Sequence, residues 1–193
     1  MDFIRNYFNA ISPISTETWL EIAPLFEKRE LQKNDFFIKE HIKATEIGFL
    51  EKGCVRAFFT NKEAKEYNKQ FFIAPSLIGA YTSLLTGKIN KIPQQALTEC
   101  TLWVVNFKAL EKRYSQYHDL ERLGRKIAEY YFLEKEEKEL EMALKDATQR
   151  YLIFSKKFPN LDQKIPQYHI ASYLGISATQ LSRLRNKLSK NIK

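Results

Sequence analysis

Ser177, Ala178, Thr179, Gln180, Ser182, Arg183 and Lys187 lie within one short stretch near the C-terminus. They offer hydroxyl, amide, guanidinium and ammonium groups, and no nucleophile sits beside a base among them. Such groups bind phosphate oxygens and the edges of nucleic-acid bases. Arg183 has the two-pronged donor geometry that fits guanine, and Gln180 has the amide that pairs with adenine. Ser177, Lys187 and Lys190 suit phosphates, contacts that position a protein without reading sequence. The competing reading is a basic, solvated helix face.

The segment that must position them, residues 167–184, reads as two helices joined by a tight turn. Ile170, Leu174, Ile176, Leu181 and Leu184 form the apolar set, and Leu181, Leu184 and Leu188 turn inward at helical spacing. Ala171 falls where two steeply crossed helices leave no room for a larger side chain. Gly175 falls where the first helix must stop, at a position that favours positive φ. Ser177 can cap the second helix. This spacing predicts a helix-turn-helix, whose second helix enters the major groove of DNA.

Other candidates are weaker. Gly79, Ala80, Tyr81, Thr82 and Ser83 sit where a short helix begins, and backbone N–H groups there could meet an anion. A fold that kept this turn without any ligand is the slightly favoured alternative. His41, His118 and His169 are scattered without metal-ligand spacing, and His169 reads as a surface residue or a neighbour of phosphate. Cys54 and Cys100 read as packing residues rather than redox sensors. The carboxylates cluster on one long helix, where a solvated face explains them. The sequence contains no phosphate loop, zinc-hydrolase motif or nucleophile–base pair, so an enzyme is not expected. No metal or cofactor is expected either.

Composition agrees. The chain has 193 residues, 44% of them hydrophobic, and a net charge of +8. From residue 151 onward there are eight lysines and arginines against one acid, Asp162, so this segment holds +7 of that charge. A basic tail on a near-neutral body suggests a polyanion, DNA before membrane. With two cysteines, no signal peptide and no apolar run of ~20 residues, a soluble cytoplasmic protein is expected.

The elements follow from pattern. Phe3, Ile4, Tyr7 and Phe8 have helical spacing, and Ser15 caps a second helix with Trp19, Leu20, Ile22 and Phe26 on its apolar side. Short β-branched and aromatic runs then recur at 36–38, 46–50, 55–59, 69–73, 95–97 and 102–105, with turn formers between them. They predict an antiparallel sandwich or barrel interrupted by a short helix near 81–85. Leu120, Leu123, Ile127, Tyr130 or Tyr131, Leu133, Leu140 and Leu144 recur at steps near 3.5, which predicts one helix over 117–148. Its charged flanks favour pairing with a second copy over packing on its own sheet. The expected domains are a β-roll over 1–116, this dimerisation helix over 117–148, and a helix-turn-helix domain over 149–193. The fold class is α+β, with a jelly-roll-like β-roll and a C-terminal winged-helix-like domain.

This order, with certain motifs, resembles the Crp/Fnr family of bacterial transcription regulators. Residues 31–40 are similar to the opening strands of that family's β-roll. Residues 47–57 are similar to its hairpin of hydrophobic residues, then Gly53, then Val55-Arg56. Residues 77–85 lie where the family has its ligand turn, and the last 25 residues resemble its DNA reader. The resemblance implies a homodimer on a near-palindromic double-stranded operator, RNA polymerase as a further partner, and an effector in the roll. It places Ala178, Thr179 and Arg183 near base edges. It places the ligand at Gly79–Ser83 and near Gln94 and Gln95, or at Asn90-Lys91. Members that bind cyclic nucleotides use Gly-Glu for the ribose and Arg-Ser for the phosphate. Here Gly79 is followed by Ala80 and no arginine is at hand, so cyclic AMP is not expected to bind. Two cysteines are too few for an iron–sulfur cluster within one chain. The family's strand pair after the reader helix has no room before Lys193, which leaves phosphate contacts to Lys187, Lys190, Lys193 or the segment before Gln167. The alternative is an effector whose roll senses a different small molecule and whose tail binds a protein.

Overall fold

A computed structural model describes residues 1–190. Two helices come first, α1 (Asp2–Ile11) and α2 (Thr16–Ile22). Ser15 Oγ accepts from Thr18 N and starts α2. Eight strands follow: β1 (Glu27–Leu31), β2 (Phe36–Ile38), β3 (Glu46–Lys52), β4 (Cys54–Thr60), β5 (Glu66–Ile73), β6 (Ser76–Ile78), β7 (Gln94–Ala96) and β8 (Cys100–Asn106). They form two four-stranded antiparallel sheets, in the orders β1-β8-β3-β6 and β2-β7-β4-β5. The short helix α3 (Tyr81–Thr86) interrupts the roll, and α4 (Phe107–Glu111) leaves it.

Strand alternation sorts the side chains into layers. Leu50, Val55, Ala96, Leu102 and Val104 fill the space between the sheets. On the outer side of the first sheet, Phe49, Leu77 and Val105 pack under Ile4, Phe8, Trp19 and Ile22 of α1 and α2. On the outer side of the second sheet, Cys54 and Phe71 pack against Phe154, Phe158, Tyr173 and Leu174 of the C-terminal region. That region and the roll therefore share a core.

The long helix α5 (His118–Leu144) follows, and after a two-residue break α6 (Ala147–Lys157) begins on an Asp146–Gln149 capping box. The helix predicted over 117–148 thus ends at Leu144, and Lys145 and Asp146 separate it from α6. Asp119 ties the start of α5 to α2 by accepting from Ser15 N at 2.7 Å and from Thr18 Oγ1. The single stripe read from sequence divides into two faces. Leu120, Leu123, Ile127 and Tyr131 pack inward, and Tyr131 donates to the Leu77 carbonyl at 2.9 Å. Tyr130, Leu133, Leu140 and Leu144 lie on another face and are 55–73% exposed. Beyond Tyr131 the inward face turns polar. Glu134 accepts from Gln70 and pairs with Lys157 at 2.7 Å, while Lys138 lies over the Tyr173 ring.

Candidate nucleic-acid interface

After α6, a 3-10 turn at Leu161–Gln163 leads to α7 (Gln167–Leu174) and then α8 (Ala178–Lys190). Gly175 has φ +68°, in the left-handed region, and its N–H donates to the Ser172 carbonyl. The backbone conformation is what demands glycine here, since the one atom a Cβ would crowd, Met142 Cε at 2.8 Å, is the tip of a flexible, partly exposed side chain. Ala171 is buried between the helices. Arg150 Nε donates to the Leu174 carbonyl at 3.0 Å and closes the end of α7.

Ser177 Oγ accepts from Gln180 N at 3.1 Å, and Gln180 Oε1 accepts from Ser177 N at 2.9 Å. This reciprocal cap has a chemical cost, because two-pronged pairing with adenine needs both ends of the Gln180 amide and one is in use. Leu181 is buried, and Leu184 and Leu188 are half-buried. Opposite them Thr179, Arg183, Asn186 and Lys187 share one exposed face, with Gln180 and Ser182 at its edges and Ser177 and Ala178 at its start. No acid occurs on α8. Among the described residues Arg183 and Lys187 form no ion pair. Arg185 differs. Its Nη1 donates to Gln167 Oε1 at 2.5 Å and its Nη2 meets Asp162 at 3.2 Å, which fastens α8 to the start of α7. Lys193 and the side chain of Lys190 lie outside the described residues.

The roll site is occupied by its own hydrogen bonds. Gln94 points into the roll and donates from Nε2 to the Gly79 carbonyl at 2.9 Å, while its Oε1 is buried without a partner among the described residues. Gln95, next along β7, points to the other side and accepts from Arg56, so the two glutamines do not form one site. Ser83 Oγ donates to the Lys88 carbonyl and accepts from Ala44 N. Tyr81 lies edge-on to Phe107, and Tyr81 and Thr82 face outward. Asn90 is buried and holds the backbone of Lys39 and Ile92. Burial pushes Cys54 up to about 12 and Cys100 in the same direction, which suits packing and not redox chemistry.

His169 overturns the expectation of a surface residue. It is 5% exposed and lies between α7 and the roll, beside Arg56 and Asn68. The reason is that α7 buries two sides, one against α8 and one against β5. Arg56 carries the signal for this contact, since a cation inside the apolar run of β4 requires partners.

No family model and no curated protein sequence matches the chain. Solved structures do. FixK2 from Bradyrhizobium japonicum superimposes with a TM-score of 0.76 at 17% identity, over 86% of this chain and 85% of that one. The c-di-GMP responsive global regulator CLP of Xanthomonas campestris gives 0.72 at 14% identity, over 92% and 93%. A candidate transcriptional regulator of the Crp/Fnr family from Eubacterium rectale gives 0.73 at 13% identity, over 92% and 85%. The chain therefore has the fold of the Crp/Fnr regulators. Among the described residues no helix is long and apolar enough to cross a membrane.

Proposed function

We propose that this chain is a cytoplasmic DNA-binding transcription regulator of the Crp/Fnr type, working as a homodimer. The observation that carries this reading is the acid-free outer face of α8. Thr179, Arg183, Asn186 and Lys187 stand exposed there behind a glycine-closed turn. Arg183 reads guanine, and Ser177 and Lys187 hold phosphates. The exposed Tyr130, Leu133, Leu140 and Leu144 support pairing of α5 with a second copy. The two readers then stand about one DNA turn (~34 Å) apart on a near-palindrome. Ala80 in place of a ribose-binding acid, and the internal bonds of Gln94 and Ser83, support insensitivity to cyclic AMP.

Selection of bound duplexes from a random-sequence pool tests the reading. The expected result is an inverted repeat, bound less tightly as salt rises. A pool that shows no enrichment after repeated rounds would refute it. Titration calorimetry with cyclic AMP is expected to give no binding heat.

A further inference from the structure

Arg56 is a cation on an apolar strand and is only 4% exposed. Its Nε and Nη2 donate to Gln95 Oε1 at 3.0 and 2.7 Å, and its Nη1 meets Glu66 at 2.5 Å. The guanidinium lies 3.7 Å over the Phe58 ring. Nη1 also lies 3.2 Å from His169 Nδ1 on α7. Asn68 Nδ2 donates to the His169 carbonyl at 3.1 Å and stands 3.3 Å from the same Nδ1. Two donors converge on that nitrogen, so it has to be the bare, accepting one, and the ring is neutral. About one turn later on α7 the contact continues: Ser172 Oγ accepts from Asn68 N and donates to the Glu66 carbonyl, both at 2.9 Å. The exposed face of α8 takes no part in these contacts, so docking aims the reader without covering it.

We propose that Arg56, Asn68, His169 and Ser172 form a latch that fixes the reader on the roll while His169 is neutral, and that protonation of His169 opens it. The charged groups facing the imidazole are Arg56 on β4, Glu66 on β5 and Lys33 in the loop between β1 and β2. Two of the three are cations. A proton on Nδ1 removes the acceptor that Arg56 and Asn68 both use and adds a third positive charge, with Glu66 alone to offset it. Burial first, and Arg56 next, push His169 down from 6.5 to about 4. For a base with a depressed value, the released form binds the proton more readily than the latched form. Docking is therefore at full strength above pH 6.5 and weakens as pH falls toward 4. At pH 5.5 it is roughly tenfold weaker than at neutral pH.

The test uses the full chain. A proton NMR titration is expected to find His169 titrating below about pH 5.5, and an ordinary value near 6.5 overturns the latch. Amide-exchange protection factors are then compared at pH 7.5 and 5.5, for the native chain and for His169→Asn, whose amide oxygen accepts but does not titrate. Native protection along α7 and at Asn68 is expected to fall roughly tenfold, while β3 and β8 keep theirs and the variant does not change. Constant native protection, or an equal fall in the variant, overturns the proposal. Neither measurement involves DNA, so failure of the DNA reading and failure of the latch are separate results.

Discussion

Arg183 and Arg185 are neighbours in sequence with different tasks. Arg183 stands free among the described residues on the outer face of α8, whereas Arg185 is tied to Gln167 and Asp162. Arg183→Ala is expected to cost about 1–3 kcal/mol on the preferred operator and to relax preference at one base pair. Arg185→Ala is expected to lower the melting temperature and to leave base preference intact. Gel shifts on operator variants, beside thermal melts, separate the two outcomes. The sequence marks both arginines as basic and helical, but nothing in their spacing shows that Asp162, across a proline and a turn, reaches back to one of them. Gln180 is similar. Ser177 is legible as the cap of α8, yet the bond from Ser177 N to Gln180 Oε1, which competes with the proposed pairing to adenine, emerges only from the geometry. The burial of Arg56 was legible as an anomaly, but its partner His169 lies 113 positions away.

At the level of elements, pattern found most of the roll and missed its weakest strands. β1 reads Glu-Lys-Arg-Glu-Leu, with no apolar alternation, because it is an edge strand with one side in water. β6 has three residues, too short for a period to register. The long helix was found, but its stripe merged two faces that diverge around Tyr130 and Tyr131. The distinction gives a prediction. Leu133 and Leu140 are each 55% exposed, so replacing them costs the single chain little. Leu133→Asp combined with Leu140→Asp is expected to yield the mass of one chain in sedimentation, with the melting temperature of the fold itself little changed. The same pair of changes at Leu120 and Leu123, which are buried, is expected to unfold the protein.

For the whole molecule, the roll and the C-terminal helices cannot be treated as beads on a string. Phe71 of β5 is in ring contact with Phe154, Phe158 and Tyr173, so the core of the C-terminal region is completed by the roll. Calorimetry is expected to show one cooperative transition. Phe71→Ala is expected to cost about 3–5 kcal/mol and to lower that single transition as a unit. Two separate transitions in the native chain would contradict the shared core. A domain limit at residue 149 follows the end of the long-helix pattern, while Cys54 and Phe71 before it and Phe154 and Tyr173 after it pack into one core. A last consequence concerns Ser172. β5 closes one end of its sheet, and the Ser172 hydroxyl occupies a donor and an acceptor on that strand's outer rim. When α7 lifts away, the rim becomes an open backbone template onto which a strand from another molecule can add. Mildly acidified solutions are therefore expected to scatter more light as protein concentration rises, through sheet extension between molecules, and His169→Asn solutions are expected to stay clear. α7 is, in this sense, also what keeps the β5 edge of one molecule from pairing with a strand of another.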